Sequence, residues 1–193
     1  TMQIFSKNSR TWQEKNYTGL EVMEFQRKLQ KSDISPIFIH ASYLINLASP
    51  DEEIYAKSIV AFSEELKRVD ALLADSGQPY LIVHPGAHRG AGEGFGLNRI
   101  IKALKNVLKQ SSSLKLSTMV LLENTSGMGS GLGYSFSQLK YIMEQVNYLD
   151  KIGICFDTCH AFAAGYNLAE EQGIEETIAQ FDGEIGLDKL KVI

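Results

Sequence analysis

An α/β barrel of parallel strands is the fold this sequence predicts, and three observations predict it. Short apolar runs alternate with amphipathic stretches along the whole chain. Four of the runs end in a group that can ligate metal: Ile37 to His40, Tyr80 to His84, Met119 to Glu123, and Lys151 to Phe156 followed by Asp157. These ends recur roughly 35 to 45 residues apart, about one strand and helix of an eightfold barrel with enlarged loops. A single His or Glu at a strand end is most often a capping or hydrogen-bonded residue. Recurrence in phase points further, because a closed ring aims its strand ends at one axial point while an open doubly wound sheet spreads them along a line. Five or six parallel strands are expected, in one domain over residues 1–193. A complete eightfold barrel takes about 250 residues, so the barrel is expected to be incomplete at both ends.

In order along the chain, Gln3 to Phe5 is a short apolar stretch leading into a polar, basic loop from Ser6 to Trp12. Thr18 to Lys31 has the spacing of an amphipathic helix, with Leu20, Met23, Phe25 and Leu29 on its stripe and a basic end that suits the helix dipole. After the strand ending at His40 comes an apolar loop containing Tyr43 and Leu44. Ser49 as cap, Pro50 in the first helical position and the acids Asp51, Glu52 and Glu53 then start a helix that runs to about Asp75. Its stripe is Ile54, Ile59, Phe62, Leu66, Val69 and Leu73. The strand Tyr80 to His84 opens into a glycine-rich loop, and a helix follows from about Leu97 to Gln110. A second glycine-rich loop, Asn124 to Gly133, separates the strand ending at Glu123 from a helix over Ser135 to Val146. Asp157 to His160 is expected to be the turn leaving the next strand, with a helix near Glu175 to Phe181 and one more strand beginning at Leu190.

At 193 residues, 44% hydrophobic and 22% charged, the chain has an ordinary globular composition and can bury one large core. Its apolar runs are too short to cross a bilayer, and Thr1 to Phe5 lacks a basic region followed by an apolar segment, so a cytoplasmic protein without membrane contact is expected. The two cysteines, Cys155 and Cys159, lack the tight pairs of a structural zinc site and are expected to be buried or spectator thiols. The net charge of −4 does not by itself suggest a nucleic-acid partner. It leaves one open, since the field on one face decides and bound cations add charge that a residue count omits.

In neither glycine-rich loop do the glycines fall in the register of a dinucleotide fingerprint, no Walker lysine follows, and no G-x-S-x-G motif occurs. Those glycines are expected to let backbone approach a ligand or to flex. What remains is His40, His84, Glu123 and Asp157, with His160 one short turn on. A nitrogen and carboxylate set without thiolate suits Zn2+, Mn2+ or Fe2+ rather than Ca2+ or Mg2+. A carboxylate such as Glu123, flanked by ligands on both sides, could bridge two ions, and a pair of ions serves phosphoester hydrolysis.

The segments Phe38 to Leu47, His84 to His88, Leu122 to Gly129 and Cys155 to Tyr166 resemble the endonuclease IV family of apurinic/apyrimidinic endonucleases, and the resemblance extends from Lys7 to Lys191. It implies a TIM barrel with a trinuclear zinc cluster, Mn2+ being possible, that cleaves double-stranded DNA 5′ to an abasic site and leaves a 3′-hydroxyl. On the matching motifs, His40, His84 and Glu123 would hold one zinc, and Glu123, the residue central to catalysis, would bridge to a second ion held by Asp157. His160 would serve the third. Arg10, Tyr43 and Leu44 would lie in loops entering the DNA at the lesion, while His88 would be structural. Without the resemblance, Arg10 is expected to be merely solvated and Tyr43 and Leu44 to be core. The resemblance also implies a first strand before Thr1 and, beyond Ile193, further ligands that complete the second and third zinc sites. The 193 residues alone are therefore expected to be inactive, and the full-length protein to be a monomer. Two other functions share these features: a metal-dependent sugar isomerase or epimerase of the same barrel superfamily, and a DNA-damage binding module without catalysis.

Overall fold

A computed structural model describes residues 1–193, the side chain of Ala74 aside. Strand β1 (Met2–Phe5) is followed by α1 (Gly19–Gln30), β2 (Ile37–His40), α2 (Glu52–Leu73) and β3 (Tyr80–Val83). Next come the two-residue β4 (Gly86–Ala87), α3 (Glu93–Ser113), β5 (Met119–Glu123), the equally short β6 (Gly131–Leu132) and α4 (Phe136–Val146). The last elements are β7 (Ile152–Cys155), α5 (Thr158–Ala163), α6 (Glu171–Glu184) and β8 (Leu190–Val192).

Six strands form one sheet in the order β1-β2-β3-β5-β7-β8, every pairing parallel. That order is the sequence order, so each right-handed crossover steps the same way and the helices stay on one face of the sheet. A doubly wound sheet would reverse direction midway. The strands therefore curl as part of a TIM barrel, as expected.

Strand alternation separates two cores. Ile37, Ile39, Leu81, Val83, Val120, Leu122, Ile152 and Ile154 pack with the helices, while Phe38, Ile82, Leu121 and Cys155 form a small cluster on the opposite, inner face. With a side-chain period of two, the inward set continues along β2, β3, β5 and β7 to positions 40, 84, 123 and 157. The site thus sits on the same side-chain rows as the inner core, one step beyond it.

Several boundaries differ from expectation. Asp51, not Ser49, caps α2, its Oδ1 accepting from the Ile54 amide at 2.9 Å. On α1, Leu20 and Met23 are exposed while Val22, Phe25 and Leu29 meet the core, because the contact with α2 fixes which side of a weakly apolar helix is covered. The stretch at Gln3 to Phe5 is an edge strand. The first glycine-rich loop is partly helical, α3 beginning at Glu93, and Asp157 opens the short helix α5 rather than a simple turn.

Several of these glycines, Gly86, Gly96, Gly127 and Gly133, serve close packing of chain on chain. β4 and β6 pair antiparallel and zip the two glycine-rich loops together. A Cβ at Gly96 would stand 2.5 Å from Leu132 Cδ1, and one at Gly133 would stand 2.7 Å from Pro85 Cγ with φ at +84°. Gly133→Ala should cost roughly 2–4 kcal/mol, from left-handed strain plus overpacking. A urea midpoint unchanged by this substitution would contradict it.

Candidate metal centre

His40, Glu123 and Asp157 end or follow strands β2, β5 and β7, and His84 follows β3. Glu123 lies at the middle, only 5% exposed. His40 Nε2 is 3.0 Å from its Oε2, while His84 Nε2 and His160 Nδ1 are 3.2 and 3.1 Å from its Oε1. Ligand atoms of His40, His84 and Glu123, and separately of Glu123, Asp157 and His160, all lie within 4.8 Å of one another. Glu123 belongs to both groups.

Hydrogen bonding tests whether these residues suit a cation. His40 Nδ1 donates to the Ala41 carbonyl at 2.7 Å, which places the ring's proton on Nδ1 and leaves the Nε2 lone pair facing a carboxylate. Two acceptors at 3.0 Å repel unless something positive lies between them, either a second proton or a metal ion. Without metal the proton serves. Burial pushes the His40 pKa down, but the hydrogen bonds to Glu123 and Ala41 and the field of Glu123 outweigh it, and the net shift is upward. Burial likewise pushes Glu123 up, yet its bonds to His40 and His84 hold the carboxyl down at about 2. His160 Nδ1 is 3.0 Å from the Asn124 carbonyl and 3.1 Å from Glu123 Oε1, two acceptors facing one ring nitrogen. The donor set fits divalent cations bound by imidazole and carboxylate.

Asp157 has two tasks. Its Oδ1 accepts from the His160 amide at 2.7 Å and caps α5, which is the commoner role of such a residue, and its second oxygen remains for a ligand. Compared in the metal-free state, Asp157→Asn should keep the cap and leave stability nearly unchanged, while in the metal-loaded state it should reduce metal content. Asp157→Ala should reduce metal and also cost about 1 kcal/mol. Thermal melts beside metal analysis check this, and equal metal loss without any difference in melting would refute the dual role.

The expected ligand positions His40, His84, Glu123, Asp157 and His160 are all brought together. Where the resemblance allots His160 to a separate third ion, its ring here also touches Glu123. His88 is outside both groups, its Nδ1 accepting from the Gly92 amide. Cys155 is buried, with its thiol pushed up by that burial and by the charges of Glu123 and Asp157; Cys159 is exposed, and neither belongs to the groups. Asn124, which the sequence presents only inside a motif, is fully buried and exchanges two hydrogen bonds with the Asp157 backbone, at 2.9 and 2.7 Å. Its place next to Glu123 is the only signal the sequence offers.

Tyr43 is not core. It is 55% exposed and packs edge-on against Phe5 at 5.3 Å, with His40 at 5.4 Å. Leu44 is half-buried, and with Trp12, Tyr43 and Arg89 it lines a cleft of about 460 Å3 that reaches His84 and His160. Arg10 is exposed, its amide bonded to Asn8 Oδ1. No helix among the described residues is long and apolar enough to cross a membrane.

Residues 1–193 match the family model described as xylose isomerase-like TIM barrel. The chain is 44% identical over 192 residues to the probable endonuclease 4 of Halothermothrix orenii, covering 100% of this chain and 66% of that protein. It is 44% identical over 190 residues to the probable endonuclease 4 of Chloroflexus aggregans, covering 98% and 64%. The chain thus spans just under two thirds of the length of these relatives. Among solved structures, the endonuclease IV of Thermus thermophilus superimposes with a TM-score of 0.81 at 30% identity, over 98% of this chain and 64% of that one. A D-psicose 3-epimerase from Clostridium cellulolyticum shares the fold, with a TM-score of 0.65 at 18% identity over 87% of this chain and 56% of that one.

Proposed function

Because the chain belongs to the endonuclease IV family of xylose isomerase-like TIM barrels, we propose that it carries much of the active site of a metal-dependent DNA-repair endonuclease. The full-length protein hydrolyses the phosphodiester 5′ to an abasic site in double-stranded DNA and leaves a 3′-hydroxyl. The observation that carries this is a buried carboxylate, Glu123, with three imidazoles within 3.2 Å of it where the barrel strands end.

His40 and His84 would hold one zinc together with Glu123, which would bridge to a second zinc at Asp157, and His160 would serve a third. Mn2+ suits the same donors. When bound, such ions supply Lewis-acid charge for a phosphate oxygen and lower the pKa of water. The chain's own residues orient the site. Ala41 fixes the tautomer of His40 through its carbonyl, Asn124 holds the backbone of Asp157, and burial keeps solvent from competing at Glu123.

Selectivity for the lesion would come from the cleft. Tyr43 and Leu44 project beside the centre from one turn and Arg10 from the neighbouring loop, and an apolar or aromatic wedge costs least unstacking energy where a base is already missing. The net charge of −4 is no obstacle, since the ions add positive charge at the site. A cytoplasmic location and a monomeric full-length form complete the proposal.

The test is a nicking assay of the full-length protein on a duplex with one abasic site, with and without chelator. Chelator-sensitive cleavage 5′ to the lesion is expected. Turnover of a ketose without nicking would point to an epimerase instead, and lesion binding without either would leave a binding module.

A further inference from the structure

The structure assigns a positioning role to Glu65 and Arg68, two buried charged residues on α2 outside the metal centre. Around them that helix buries Phe62, Leu66 and Val69, yet Glu65 is 1% and Arg68 8% exposed. The two carboxylate oxygens of Glu65 hold different segments. Oε2 accepts from the Ser6 hydroxyl at 2.6 Å, at the start of the loop between β1 and α1, and Oε1 accepts from the Ser42 amide at 3.2 Å, in the turn after His40. Arg68 continues the network along the same loop, donating from Nε to Ser6 Oγ, from Nη1 to the Lys15 carbonyl and from Nη2 to Glu14, each at 3.0 Å.

The two segments then meet at Ser9, whose carbonyl accepts from the Tyr43 amide at 3.1 Å and the Ser42 hydroxyl at 2.9 Å. The loop carries Arg10 and Trp12, and the turn carries Tyr43 and Leu44. Between β1 and α1 the loop has no regular secondary structure to set its path, and its backbone is held largely by side chains. A buried ion network adds little stability compared with an apolar packing of the same volume. What it supplies here is a fixed spacing between the loop and the turn, so that the lesion-contacting side chains arrive as one preorganised surface. This role rests on the proposed function for the identity of the ligand, and on the hydrogen bonds alone for the geometry.

Two readouts separate those dependencies. In the full-length protein carrying Glu65→Gln or Arg68→Met, hydrogen exchange followed by mass spectrometry should show the amides of residues 7–16 and 42–44 losing protection by about tenfold or more. The strands β2, β3 and β5 should keep theirs, and the metal content should not change. Nicking of the abasic duplex should show KM raised by about tenfold with kcat altered less than threefold, because surface preorganisation is lost and the chemistry is not. If these variants fail to fold, Ser42→Ala, which removes the hydroxyl link to Ser9 and the hydroxyl's acceptance from the Leu44 amide, should give the same local pattern in milder form. Unchanged exchange in folded variants overturns the inference, as does loss of kcat or metal with KM constant. The exchange pattern in a parent protein that does not nick would support the ordering role and overturn the function proposed for the site.

Discussion

Glu123→Gln should lower nicking of an abasic duplex by at least about 10³-fold in the full-length protein, since the shared carboxylate organises every candidate metal position. The substitution preserves volume, so the barrel should fold. It removes the negative charge on which His40, His84 and His160 converge, and an amide is a poor ligand that cannot bridge cations. Its N–H groups would also face imidazole nitrogens that need a proton or a metal. The measurement is single-turnover nicking beside metal analysis of the purified variant. Retention of both the metal and a rate within tenfold of the parent would remove Glu123 from the centre of the site.

Removing metal should lower the melting temperature substantially, and more so at higher pH. A ligand at a thousand times its dissociation constant adds about 4 kcal/mol, which in a protein of this size moves the midpoint by roughly 8–16 °C. The pH dependence follows from His40 and Glu123. The folded pKa of Glu123 is depressed from 4.5 to about 2, so its contribution is present above 4.5 and lost as pH falls towards 2. That of His40 is raised above 6.5, so its contribution is full below 6.5 and lost as pH climbs through the folded value. The metal-free pair is therefore at its best between about pH 4.5 and 6.5. A cation takes the place of the His40 proton, so binding should release protons and tighten as pH rises. Melting curves with Zn2+ or chelator between about pH 5 and 8 check this. A metal-induced stabilisation that shrinks with increasing pH, or none at all, would contradict it.

Much of this site is legible in the sequence because strand periodicity is local. Phe38 and His40, Ile82 and His84, Leu121 and Glu123 are pairs two residues apart, and a period of two sends both members to one face whatever the rest of the chain does. The residues that support the site are less legible. Asn124, Glu65 and Arg68 look like ordinary polar residues of a loop and a helix, and their partners lie far away in sequence. Glu65 meets Ser6 and Ser42 at separations of 59 and 23 residues, and Arg68 meets Ser6 at 62. The exposure of Leu20 and Met23 escapes the sequence for the same reason, since a helix's own pattern offers several apolar faces and its neighbour selects one.

By itself the sequence determined the alternation of strands and helices, the barrel class, the family, and the identity of the four side chains at the strand ends with His160 one turn beyond. Only the tertiary structure decided that three imidazoles crowd one buried carboxylate, that Asp157 caps a helix as well as facing the centre, and that the glycine-rich loops pack on each other. Patterning acts over a few residues, through backbone sterics and side-chain period. Proximity across parallel strands depends on register and on where long crossovers land, which no short stretch of chain encodes.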